Sequence, residues 1–144
     1  MMPLNTTLIL AALLAQVILT IIVYVVLVRA RYAAARRGEV KVSQYVVVRD
    51  EPDWLARITR NVANQYELPV LFYALVLMLV AINRVTMFDA IVAWAFVAVR
   101  IVHAVIHIRT SDVMLRMRVF GIGLVLVGLL AAHGVLIVLG SLGR

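Results

Sequence analysis

Four stretches of the chain are almost free of charge, and short polar segments separate them. Residues 4–28 carry no Asp, Glu, Lys or Arg. A crossing needs about 20 apolar residues, so this run is long enough to span a bilayer as a retained first helix. A cleaved leader fits less well, because a basic start and a small-x-small site before the first arginines are both missing. Further helices are expected over 54–82, 85–108 and 119–142. Pro69 lies inside the second of these, removes the helical donor for the Gln65 carbonyl and predicts a kink.

The segments between the helices are read from their turn and charge chemistry. Residues 29–53 form a long loop that opens on Arg29, Arg31, Arg36 and Arg37, with Gly38 ending the helix and a β-prone run over 41–49. Glu51-Pro52-Asp53 marks the next helix start, with Asp53 as cap or first-turn acid and Trp54 suited to the membrane interface. Asn83-Arg84 leaves room only for a hairpin, so the second and third helices are antiparallel neighbours. Residues 109–118 form a second polar loop. On the fourth helix, Gly121, Gly123, Gly128 and Gly134 predict close helix approach. The expected fold is an all-α membrane protein, one domain over 1–144, built as a four-transmembrane-helix up-and-down bundle.

Composition agrees with this pattern. The chain is 65% hydrophobic and 15% charged, with a mean hydropathy of +1.07, where soluble domains lie nearer 45–50% apolar. It has no cysteine, which excludes disulfides and thiolate metal sites. A net charge of +7 would suit nucleic acid if it formed one patch. Here the basic residues sit in the loops, which points to membrane topology and anionic lipid and away from nucleic acid. Residues 29–60 hold eight of them and 109–118 three more, eleven together, against Arg84 and Arg144 on the other side. That asymmetry predicts a multi-pass protein with the long basic loop cytoplasmic and both termini outside.

The candidate chemistry lies at 57–69, RITRNVANQYELP. Arg60, Asn64 and Glu67 stand at i, i+4 and i+7, on one helical face and about 10 Å from first to last. On the third helix Arg100, His103 and His107 stand at i, i+3 and i+7. Charges in a bilayer are costly, at about 2.5–3.5 kcal/mol on insertion scales, so Glu67 and Arg100 are expected to face the bundle with partners. Two readings compete. In one, Glu67–Arg100 is an interhelical salt bridge that fixes register. In the other, the two faces form an anion-binding pocket that also holds one cationic group. Arg57 suits a lipid headgroup, Asn61 and Gln65 suit the start of a helix, and Asp89 suits a cap or the interface. His133 suits an interhelical hydrogen bond. His103 and His107 have the spacing of two metal ligands but lack a third, so no metal site is expected.

R-x-x-x-N-x-x-E followed by proline, here Arg60, Asn64, Glu67 and Pro69, resembles the MAPEG family (membrane-associated proteins in eicosanoid and glutathione metabolism), in its bacterial-type form. R-I-V-H-A-V-I-H at 100–107 is similar to that family's R-x-x-H-x-x-x-Y segment, with His107 in place of Tyr. The resemblance covers nearly the whole chain and is most specific over 57–109. It implies a homotrimer with glutathione as co-substrate, bound between neighbouring subunits near the cytoplasmic face. It implies that Arg60, Asn64, Glu67 and Arg100 contact glutathione, with His103 and His107 beside them. It further implies a thiolate-stabilising arginine, with Arg31, or its neighbour Arg29, and Arg116 or Arg118 as candidates. The activity implied is that of a microsomal-type glutathione transferase or peroxidase acting on an apolar electrophile or lipid hydroperoxide. Two other functions are compatible with the residues: a small four-helix proton-coupled exporter using Glu67, and a non-catalytic membrane scaffold.

Overall fold

The computed structural model describes residues 2–45 and 50–142. The expected Arg49 and Arg144 charges, and part of the β-prone run, lie outside the described residues. Among the described residues there are five α-helices and no strand: α1 (Leu4–Arg36), α2 (Asp53–Asn64), α3 (Leu68–Ala81), α4 (Met87–Arg109) and α5 (Val113–Leu142). α2 and α3 together make one crossing, Asp53–Ala81, so four membrane-length spans result, as expected.

Four features differ from those read in the sequence. α1 does not stop at residue 28 but continues through three of the arginines to Arg36. Its alanines favour the helix, and only Gly38, at φ +71°, ends it. The expected 109–118 loop shrinks to three residues, because α5 begins at Val113 and carries Arg116 and Arg118. The β-prone segment contributes a 3-10 turn at Val42–Tyr45. The second helix is not kinked but broken. Leu68 and Pro69 open α3, where proline's missing N–H costs nothing, and residues 65–67 leave the helix.

α4 is the central element. Asp89, Val92, Ala93, Phe96, Arg100, His103 and His107 recur on one buried face, and the helix packs against α5, α1 and α2. α1 and α4 run parallel. Asn5 donates to the Val85 carbonyl near their starts, and Trp94 Nε1 donates to the Leu8 carbonyl at 3.1 Å one level further in. Two apolar clusters divide the interior. The larger joins Ile9, Phe72, Val76, Phe96 and Leu130, with Phe72 stacked on Phe96 at 4.5 Å. The smaller joins Val23, Leu27, Leu55, Ile58 and Ala104 at the basic end.

The glycines of α5 divide by what they face. A Cβ on Gly123 would meet Leu68 at 3.3 Å, and one on Gly134 would meet the Met78 methyl at 2.7 Å. Gly121 and Gly128, expected to allow close approach, have nothing within 4 Å.

Candidate functional site

The break between α2 and α3 organises the site. Three buried amides from two helices and the break hold it in place. Gln16 Nε2 donates to Gln65 Oε1 at 3.2 Å. Gln65 Nε2 donates to Asn61 Oδ1 at 3.4 Å. Asn61 Nδ2 donates to the Ala104 carbonyl at 3.4 Å. All three side chains are buried. Asn61 and Gln65 are therefore interhelical hydrogen bonders and not simple helix-start residues. Sequence reasoning missed Gln16, although a lone amide in the middle of an apolar helix is a usable signal.

The break presents Asn64 and Glu67 to a cavity of about 490 Å³, lined by Arg60, Ala63, Asn64, Glu67, His103, His107, Arg116, Met117 and Phe120. Every expected contact residue on α2, and both histidines of α4, come together here. Arg100 lies behind them, 1% exposed, with Nη2 donating to the Asn64 carbonyl at 3.0 Å. It makes no ion pair with Glu67, which is exposed at the cavity. The salt-bridge reading is thereby corrected. Opening the helix at 65–67 frees the Asn64 carbonyl, and that carbonyl takes the guanidinium.

The remaining guanidinium nitrogens of Arg100, Nε and Nη1, are buried without a hydrogen-bond partner, as is Nδ1 of both His103 and His107. Buried donors and acceptors are nearly always satisfied, so four unsatisfied nitrogens in one place leave hydrogen-bonding capacity that the chain's own groups do not fill. The two imidazoles lie edge to face at 5.6 Å, and His103 also meets the Phe120 ring at 5.8 Å.

The arginines considered for the thiol separate cleanly. Arg116 lines the cavity. Arg118 is exposed, away from it. Arg31 is held elsewhere, paired with Glu51 at 3.3 Å and over the Tyr45 ring at 4.9 Å. Arg57 lines a smaller adjoining cleft of about 230 Å³ with Arg60, Thr110, Ser111 and Arg116.

At the other end of α4, Asp89 is both cap and interhelical partner. It closes a capping box with Thr86 and meets His133 Nδ1 at 2.7 Å, so the expected roles of both residues are found.

The model of the MAPEG family matches residues 9–136. The chain belongs to the MAPEG family. That membership places it among integral, multi-pass membrane proteins of a glutathione-associated family, and the four spans agree. No curated protein matches the chain, and no solved structure matches it.

Proposed function

We propose that this MAPEG protein is a membrane glutathione transferase or peroxidase of the microsomal type, acting on an apolar electrophile or a lipid hydroperoxide. The observation that carries the reading is the cavity wall, in which Arg60, Asn64 and Glu67 face His103, His107 and Arg116. Glutathione carries two carboxylates, one ammonium and one thiol. Arginine forks suit the carboxylates, Glu67 suits the ammonium, and Asn64 offers both a donor and an acceptor. A volume of about 490 Å³ lies within the usual range of small-molecule pockets.

The thiol has to ionise before it reacts. A free thiol has a pKa near 8.5, and lowering it by two units needs about 2.7 kcal/mol of thiolate stabilisation. Two guanidiniums stand on this wall; with Arg60 on a carboxylate, Arg116 is the one left to supply it, in preference to Arg118 or Arg31. The thiolate then forms a bond to the electrophilic carbon, and the leaving group departs with its electron pair. With a hydroperoxide, the thiolate sulfur bonds to the terminal peroxide oxygen as the O–O bond breaks, giving a sulfenic acid and the alcohol, which takes up a proton; the thiol of a second glutathione then displaces that oxygen as water and forms the disulfide. His107 stands where a tyrosine is more usual and supplies the polar contact that a phenol would. A homotrimer, with the basic loop cytoplasmic and both termini outside, places the site within reach of cytosolic glutathione.

Calorimetry of detergent-purified protein with glutathione, wild type beside Arg60→Ala, tests this reading. Binding in the wild type that is lost in a folded Arg60→Ala variant is the expected result. No binding to folded wild type overturns it.

A further inference from the structure

On the opposite side of α4 from this cavity, a groove of about 620 Å³ runs between α1 and α4. Its walls are aliphatic, including Ile18, Ile22, Val26, Ile101 and Val105, and its one charged lining residue is Arg109. Buried Val23 and Ala104 form the floor. Along α1 it extends from Ala15 to Val26, about 17 Å at 1.5 Å per residue. A hydrocarbon core is about 30 Å thick, so the groove matches the depth of one leaflet.

The ends of the groove differ. Towards the bilayer midplane it is closed, because Ile9 and Ala12 are fully buried and Trp94 bridges α4 to the Leu8 carbonyl. Towards the basic end it is open. Arg109 stands there, exposed and without an ion-pair partner among the described residues. Arg29 lies on the same face of α1, one helical turn beyond Val26.

We propose that this groove binds one acyl chain of an anionic phospholipid from the leaflet at the basic end, with Arg29 and Arg109 holding the headgroup phosphate. A blind apolar slot of one-leaflet depth, with cations only at its mouth, suits a tail that enters from one side. A helix of a second copy would need to run past the midplane, where the groove is shut.

The test is reconstitution into vesicles of equal phosphatidylglycerol and phosphatidylcholine, mild extraction, and native mass spectrometry of the retained lipid. Wild type should retain one lipid per chain, enriched in phosphatidylglycerol by about fivefold for each arginine that faces the headgroup. In the Arg29→Gln/Arg109→Gln double variant the enrichment should vanish. Ala15→Phe, which fills the blind end, should lower retention of both lipids. Retained lipid with the bulk composition in wild type overturns the proposal, as does enrichment that survives in the double variant. A photo-crosslinking side chain placed at Ile22 that couples to a second copy and not to lipid would instead show that a second copy fills the groove, and would also overturn it.

Discussion

At one end of α4, Asp89 is wholly buried and each of its carboxylate oxygens has a partner. Oδ2 accepts from the Thr86 backbone N–H and hydroxyl, both at 2.8 Å, and Oδ1 meets His133 at 2.7 Å. At the other end, Arg100, His103 and His107 are buried about as deeply, at 1–2% exposure. Together they leave four nitrogens without a partner. Burial and charge alone would mark both ends as functional. What separates them is satisfaction: the Asp89 carboxylate has its hydrogen bonds made within the fold, and the Arg100, His103 and His107 nitrogens keep some open.

The largest effect should come from breaking the satisfied end. His133→Leu leaves Asp89 Oδ1 buried and unpartnered. A buried carboxylate oxygen that loses its hydrogen-bond partner costs about 3 kcal/mol, read as a lower midpoint in thermal or detergent-denaturant unfolding. Glutathione affinity of the folded fraction should be unchanged. If the variant instead keeps wild-type stability and loses binding, the two ends have been assigned the wrong way round.

At the open end, Glu67→Gln should do the reverse. Glu67 is exposed and has no internal ion pair among the described residues, so the unfolding midpoint should hardly move. Losing a charge-assisted contact to the ligand ammonium should weaken glutathione binding by about 1.5–3 kcal/mol, or roughly 10- to 150-fold. Calorimetry beside wild type measures it, and unchanged affinity removes Glu67 from the site.

The amide series Gln16–Gln65–Asn61 lies between these extremes, because its members bond to one another and to the Ala104 carbonyl, with Gln16 Oε1 left unpartnered, yet it holds the break that carries the site. Gln65→Leu leaves Asn61 Oδ1 and Gln16 Nε2 without their partner, at a cost of about 1–3 kcal/mol. It should lower both stability and affinity. A drop in stability with full affinity would mean that the break keeps its shape without the amides.

How much of this was legible in the sequence follows the same division. The spans, the hairpin at Asn83-Arg84 and the face of Arg60, Asn64 and Glu67 depend on periodicity and turn chemistry, which are local. The Asp89 cap was readable from its place at a helix start. The break at 65–67 was not. Proline predicts a lost hydrogen bond, but whether a helix kinks or opens depends on what receives the freed groups. Here Arg100 from α4 receives the Asn64 carbonyl and Gln16 from α1 holds the Gln65 side chain, both distant in sequence. Arg31 illustrates the converse. It lies in the basic run at the end of the first helix, yet Glu51 and Tyr45 hold it away from the cavity, and neither partner is announced by the local pattern.

The smallest effects test whether the contrast between satisfied and open surfaces extends to packing. Gly123 and Gly128 lie on one helix, five residues apart, and a sequence pattern treats them alike. A Cβ at Gly123 would press on Leu68 at 3.3 Å and reach Phe96 and Val99 at 3.8 Å. Leu68 is the first residue of α3, so it has little room to yield without shifting the break. Gly123→Ala should therefore cost about 1 kcal/mol, at the low end for overpacking. Gly128 has nothing within 4 Å. Gly128→Ala meets no neighbour within the chain and removes the entropy penalty of a mid-helix glycine, a gain of about 0.5–1 kcal/mol. Unfolding midpoints of the two variants should move in opposite directions. If Gly128→Ala destabilises instead, its open face is covered by something outside the chain, and that face of α5 becomes the place to look for the neighbouring subunit of a trimer.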